Sequence, residues 1–324
     1  MRRRYVRASM AASICMRPAM SASSSSDLPD AVERVARSVV AVVASRRSVG
    51  SATVWRDRFI VAAAHRVWRA ERVQAVLPDG ETAGASVKGV DPATDLALLA
   101  LDDTAPAPPV PARADEAAGA RAGEFVFAVA RDGSGLTQAS FGHIGAAAGA
   151  WRTWRGGRVD RLIRLDGGLY PGYSGAPVAN AQGQTLGIAT SGLTRVHGIV
   201  LPWSTVDRVL EQLQSHGRVA QGYLGIVAQA VRLGDTQAAA LGVAAGGALL
   251  LTAVADDGPA ATAGLLLGDV LVAIDGARIE TTDDLRDALG RHAVGDELKL
   301  LVARGGERKE FVARVGERAA GRCG

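Results

Sequence analysis

Five histidines occur in the 324 residues, so a catalytic imidazole can be enumerated. His65 ends the apolar run Phe59-Ile60-Val61-Ala62-Ala63-Ala64-His65; His143, His197, His216 and His292 lie in a glycine-flanked run, a loop, a helix end and the last third of the chain. Ser174 sits in Leu169-Tyr170-Pro171-Gly172-Tyr173-Ser174-Gly175-Ala176-Pro177. Its flanking glycines let the backbone turn sharply, so that successive N–H groups converge on one point. A serine hydroxyl is a weak nucleophile that needs a base for its proton and donors for the developing oxyanion. Asp95, in Asp91-Pro92-Ala93-Thr94-Asp95-Leu96, opens an apolar run where a carboxylate can be buried against an imidazole. Taken singly, each is an ordinary strand end, turn or cap. Together they run His, Asp, Ser with gaps of 30 and 79 residues. Gly172-Tyr173-Ser174-Gly175-Ala176 lacks the final glycine of the α/β-hydrolase elbow, and the residue order is the reverse of that fold's.

The elements that must position these groups are short. Apolar runs at Val39–Val43, Phe59–Ala63, Val73–Leu77, Leu96–Leu101, Glu124–Ala130 and Leu162–Leu165 alternate with turn dipeptides such as Asp79-Gly80, Asp132-Gly133 and Gly156-Gly157. With no helical periods between them, these strands predict a mainly β barrel or sandwich. Residues 103–113 are proline-rich and predict an extended surface segment. Asp30 is placed to cap a short helix carrying Val32, Val35 and Ala36. A longer helix carries Val206, Val209, Leu210 and Leu213, with Ser204 or Thr205 as cap and Gly217 as stop. A second unit begins near Gly222, with strands at Ala248–Val254, Val270–Ile274 and Leu298–Val302. Its helix is capped by Thr281 or Thr282 and carries Leu285 and Leu289. The expected division is a basic leader with serine-rich linker (1–29), a first domain (30–217), a second (222–317) and a tail (318–324).

Composition narrows the function classes. Apolar residues make up 48% and charged residues 22%, a globular profile. From Asp27 onward the chain carries 32 basic against 33 acidic groups, and the concentrated basic patch that a nucleic-acid binder requires is absent. Cys15 and Cys323 lie at the extreme termini, so neither a disulfide framework nor a cysteine metal site is expected, and no metal or cofactor is called for. The charge-free stretch Ala8–Met16 is nine residues, against the about 20 that cross a bilayer, so no transmembrane segment is expected. Following four arginines, it has the outline of a weak secretory signal; export and a cytoplasmic location both stay open.

The motifs resemble those of the HtrA-type (DegP/DegQ-like) trypsin-like serine proteases, from about Asp30 to Glu317. The resemblance rests on Gly50-Ser51-Ala52, Ala63-Ala64-His65, Asp91 to Ala97, Gly172-Tyr173-Ser174-Gly175-Ala176-Pro177, Gly187-Ile188-Ala189-Thr190 and Gly217 to Gly225. In the second unit, Gly258-Pro259-Ala260 and Ala263-Gly264-Leu265-Leu266-Leu267-Gly268-Asp269 look like the PDZ pattern. It implies a chymotrypsin-like double β-barrel followed by one small α+β PDZ domain. It also implies a serine endopeptidase acting on unfolded or damaged polypeptides, with Ser174 as nucleophile, His65 as general base and acid, and Asp95 orienting His65. The oxyanion hole would be the N–H groups of Gly172 and Ser174. The pocket for the residue before the scissile bond is expected around Gly168, Thr190, Gly192, Gly198 and Ile199, with Thr190 matching the position that supports the aspartate. With no acid at its base, small or medium apolar side chains are expected there. Tyr223-Leu224-Gly225-Ile226 resembles the PDZ carboxylate loop, with Leu285 and Leu289 lining a groove for peptide C-termini. A homotrimer is implied as well, although residues 27–50 hold no aromatic for the family's usual contacts. The chain departs from the pattern at Tyr173, Ala176 and Ala62. A proteolytically weak PDZ-bearing binder or chaperone, and an esterase using the same serine, are the alternatives. Trp151-Arg152-Thr153-Trp154-Arg155 interleaves aromatics with arginines and is expected as a surface loop at a cleft edge.

Overall fold

The computed structural model describes residues 24–317 apart from 46–47, 105, 220–221 and 293. The leader stretch with its signal-like outline, both cysteines and the tail therefore lie outside the described residues. Two closed six-stranded antiparallel barrels form the first two-thirds. The first runs Val39–Ser45, Ser48–Arg56, Phe59–Ala63, Leu96–Leu101, Thr82–Asp91 and Arg72–Val76 around the ring. The second runs Leu162–Leu165, Ile199–Pro202, Thr185–Thr190, Pro177–Asn180, Phe125–Arg131 and Thr137–Ala148. Side chains alternate across each strand, so Val40, Val42, Ile60 and Leu99 fill one barrel while Val126, Ala128, Ile144 and Val178 fill the other.

A third apolar cluster joins barrel to helix. The helix Trp203–His216 lays Val206, Val209, Leu210 and Leu213 against Trp55, Val61, Leu96 and Leu98, and Gly217 ends it in the left-handed conformation. Its N-cap is Pro202, not Ser204 or Thr205. Thr205 is buried, and its hydroxyl donates to Asp160 Oδ2 while accepting from the Asp160 N–H. The N-terminal helix, Ser24–Ala36, starts inside the serine run expected as linker, so Asp30 is mid-helix. Leu28 packs with Ala31, Val35, Phe127 and Ala179, and this packing holds the first turns on the second barrel despite Pro29.

The second unit is an antiparallel sheet in the order Ile226–Leu233, Gly246–Val254, Val270–Ile274, Glu297–Arg304 and Glu307–Arg314, with Ala277–Arg278 paired to its middle strand. The helix Thr282–Leu289 covers it. Thr281 caps this helix in a reciprocal box with Asp284. The strand Gly222–Tyr223 pairs with Gly316–Glu317, closing the unit's ends on each other.

Candidate active site

Strand register explains why residues 30 apart meet. Phe59–Ala63 pairs with Leu96–Leu101 so that Ala63 faces Leu96, which places His65, on the short helix Ala64–Val67, beside Asp95. Asp95 is among the few non-glycine residues with positive φ, at 61°. That conformation turns its carbonyl to accept from Ala64 N–H and its carboxylate to accept from His65 N–H at 2.9 Å. His65 Nδ1 lies 2.7 Å from Asp95 Oδ2, and Thr190 Oγ1 donates to the same oxygen. The carboxylate is buried while the imidazole is one-third exposed, so the His65 edge away from Asp95 faces the cleft. Such a strained residue, held by four hydrogen bonds, is the kind found at functional sites.

Ser174 comes from the second barrel, on the loop before Pro177–Asn180. The loop is pinned by the first barrel: Ser51 donates to Gly172 O through its N–H and its hydroxyl, and Thr53 Oγ1 donates to Gly175 O. Gly175 has φ +92°, and a Cβ there would lie 1.9 Å from Ser51 O, so no other residue fits this crossing between barrels. Gly172 also has positive φ. Among the described residues neither the Gly172 nor the Ser174 N–H donates to another group. Two free donors flanking a serine are what an oxyanion hole needs. Tyr173 points away, into the core of the second barrel with Val126 and Ala189, and burial followed by the nearby Tyr170 raises its pKa. Ala176 and Ala62 are core residues too, so these three departures from the pattern fill interior space.

Ser174 Oγ is itself engaged. It lies 3.0 Å from Ser191 Oγ and accepts from Ser191 N–H at 3.2 Å. No hydrogen bond joins Ser174 Oγ to the imidazole among the described residues, a looseness common before substrate binds. Ser191 has no sequence signal of its own. It is next to Thr190 at the end of Thr185–Thr190, which pairs with Pro177–Asn180 and so reaches the serine loop.

The pocket residues divide. Gly168 lies against the Val196 carbonyl, and the Gly198 N–H donates to Gly167 O; a Cβ at Gly198 would meet Leu169 and Leu165, which gives that region an apolar lining. Two of the expected pocket residues, Ile199 and Thr190, are turned elsewhere. Ile199 is a core side chain packed with Leu201 and Trp203, because strand alternation turns it away from the side that Gly198 presents. Thr190 is buried on Asp95 rather than available to substrate. A Cβ on Gly192 would lie 2.4 Å from Asp95 Oδ2 and 2.9 Å from His65 Nδ1, so this glycine makes room for the His–Asp pair.

The two regions match a trypsin-like peptidase domain over residues 50–188 and a PDZ domain over 222–315. The solved HtrA-type protease AlgW with tripeptide superposes with a TM-score of 0.72 at 27% identity, over 91% of this chain and 98% of that one. The chain belongs to the HtrA-type family. Curated relatives of the family include the probable periplasmic serine endoproteases DegP-like of Halomonas elongata, 31% identical over 84% of this chain and 57% of that relative, and of Brucella suis, 32% identical over 79% and 50%. The chain thus spans about half the length of the curated relatives it matches. The serine endoprotease from Yersinia pestis, at 24% identity and a TM-score of 0.72, covers 90% of this chain and 98% of that one and shares the fold.

In this HtrA-type chain the PDZ unit presents a groove between strand Ile226–Leu233 and helix Thr282–Leu289. The strand is the outer one of its sheet, paired on one side only. Tyr223, Leu224, Gly225 and Ile226 line one end, Leu285 and Leu289 the opposite wall, and the last two also belong to the core. Neither the Leu224 nor the Gly225 N–H donates to another group among the described residues. The Trp151 to Arg155 loop is not merely surface: Trp151–Arg152 pairs with Arg158–Val159, Arg152 forms an ion pair with Asp287 of the PDZ helix, and Thr153 Oγ1 donates to Ala93 O at 2.7 Å.

Proposed function

We propose that this chain is a serine endopeptidase that cleaves exposed segments of unfolded or damaged polypeptides through an acyl-enzyme, with its PDZ unit binding peptide C-termini. The observation that carries this is the His65–Asp95–Thr190 cluster opposite a serine flanked by two unengaged N–H groups. Asp95 fixes the imidazole with Nδ1–H toward the carboxylate, which leaves Nε2 basic. With substrate in the cleft, the Ser174 hydroxyl leaves Ser191, gives its proton to His65 Nε2 and bonds the scissile carbonyl carbon. The carbonyl oxygen becomes an anion held by the Gly172 and Ser174 N–H groups. His65 then protonates the leaving amine as the C–N bond breaks. Water, deprotonated by the same imidazole, attacks the acyl-enzyme and frees Ser174. Leu165 and Leu169 beside Gly198 favour small or medium apolar side chains before the scissile bond.

The free N–H groups of Leu224 and Gly225 suit a terminal carboxylate, and the open edge of Ile226–Leu233 suits a peptide added as a further strand. The relatives' description as periplasmic supports the same location for this chain. The Ser174–Ser191 bond is the one feature favouring the alternative of a proteolytically weak PDZ-bearing binder. Hydrolysis of fluorescent casein separates the readings: the wild type is expected to cleave and Ser174→Ala not. Casein left intact by the wild type would favour the binder, and cleavage by Ser174→Ala would require another nucleophile.

A further inference from the structure

The PDZ groove has a second wall that belongs to the protease barrels. It is part of a continuous space of about 1310 Å³ that runs from the PDZ strand and helix to the Trp151–Arg155 loop and the helix Trp203–His216. The PDZ side is apolar at Ile226, Val227, Ala228, Leu285 and Leu289; the protease side brings Arg152, Arg155, Arg158 and Arg208, and Arg286 lies at the helix. Among the described residues, three carboxylates form ion pairs with those five guanidinium groups. Arg152 pairs with Asp287, Arg286 with Asp283, and Arg158 and Arg208 share Asp160 at 3.2 and 3.4 Å. Arg155 reaches only the Pro92 carbonyl, at 3.4 Å, and stacks over Trp154, whose ring is 72% exposed at the groove. Among the described residues the one acid lining the space is Asp91, which is buried; desolvation pushes its carboxyl above the usual carboxylate range against the hydrogen bonds from Thr94 and Ala93 and the attraction of Arg208. Among the described residues the groove therefore gathers more guanidinium groups than carboxylates.

A peptide added to the edge of Ile226–Leu233 turns alternate side chains away from the PDZ sheet, toward the space the arginines occupy. We infer that the groove selects peptide C-termini with Asp or Glu upstream of an apolar terminal residue, read by Arg155, Arg158 and Arg208 across the interface between protease and PDZ units. This rests on the reading of the PDZ unit as a binder of peptide C-termini. The arginines add selectivity to that site, and an acidic segment meets them in a space where a neutral one leaves the excess charge uncompensated.

Fluorescence polarisation on the full chain carrying Ser174→Ala, so that peptides survive, tests the inference. Two labelled decapeptides ending in the same valine are compared, one with Glu and one with Ser at three upstream positions, each as free acid and C-terminal amide. The acidic free acid is expected to bind about tenfold tighter at low salt, falling to about twofold at 0.5 M as surface charges are screened. Arg155→Gln with Arg158→Gln, both exposed positions, should remove that preference and leave the serine peptide's affinity unchanged. Equal affinity of the two free acids, with the amides silent, would overturn the inference and keep the C-terminus reading. A preference that survives the double substitution would also overturn it. Amides binding as well as acids, or no binding by any peptide, would remove the underlying C-terminus reading and the inference with it.

Discussion

Replacing Ser191 with alanine should make the protease faster. The substitution deletes the hydroxyl 3.0 Å from Ser174 Oγ and leaves the weaker N–H contact at 3.2 Å. Before attack, Ser174 must exchange that contact for one to His65, and the free energy of the exchange is part of the barrier measured from free enzyme. A neutral hydrogen bond is worth about 0.5–1.5 kcal/mol net. Ser191 is solvent-exposed, so the lower part of that range, about 0.5–1 kcal/mol, applies. Shifting the serine toward the imidazole by that amount raises kcat/KM about two- to fivefold. The assay is steady-state cleavage of a fluorogenic peptide, with the acylation burst from an activated ester as a second reading of the same step. Thermal melting of the variant checks that the fold is unchanged. An unchanged kcat/KM would show that Ser191 does not hold the nucleophile in solution. A fall of threefold or more would show that Ser191 supports the productive geometry, and the reasoning would fail.

Gly192→Ala should lower kcat at least 100-fold with the barrels still folded, since its methyl would sit 2.4 Å from Asp95 Oδ2; activity within tenfold of wild type, with circular dichroism unchanged, would contradict this. Arg131 is buried and donates to the carbonyls of Ala36, Val39 and Gly135, so Arg131→Met should destabilise the barrels by about 3–5 kcal/mol in urea unfolding, and a loss under 1 kcal/mol would refute that role. In the PDZ unit, burial raises Asp269, but the paired Arg304 and the Leu266 N–H outweigh it and hold its carboxyl below the usual range. A depressed folded pKa gives stability that is present above the unfolded value, near pH 4, and is lost as pH falls through the lower folded value. Amide exchange of Val270–Ile274 should accelerate as pH falls below about 4 beyond the intrinsic change in the wild type, and less in Asp269→Asn; equal acid sensitivity would exclude the ion pair as the cause.

The barrel strands were legible because punctuation and side-chain alternation are local. Phe59–Ala63, Leu96–Leu101, Leu162–Leu165 and Val270–Ile274 follow directly from apolar runs bounded by turns. The ends that depend on tertiary packing were not. Leu28 holds helical turns through a serine run, and Pro202 caps a helix in place of the hydroxyls beside it because Thr205 is committed to Asp160. At the site, the His65–Asp95 pair could be named from residue type and order, and the register of Phe59–Ala63 on Leu96–Leu101 explains why its members meet, while the pairing of Thr185–Thr190 with Pro177–Asn180 brings Ser191 to Ser174. Glycine roles were harder. Gly192 and Gly198 look alike in sequence, yet one clears space for a carboxylate and the other faces two leucines, a difference set by the turn between Thr190 and Ile199. Ser191 was invisible for the same reason: an exposed serine in a loop gains meaning only from the hydroxyl it faces. The arginines of the groove lie far apart in the chain, from Arg152 to Arg286, and only the packing of two units gathers them.

The proposed chemistry requires Ser174 to be the nucleophile and His65 to activate it. The most direct measurement is reaction with a fluorophosphonate followed by peptide mapping, on the wild type and His65→Ala. A single phosphonylated residue, Ser174, is expected in the wild type, with labelling slowed at least 100-fold in His65→Ala. A label on another residue, or equal rates in the two proteins, would contradict it.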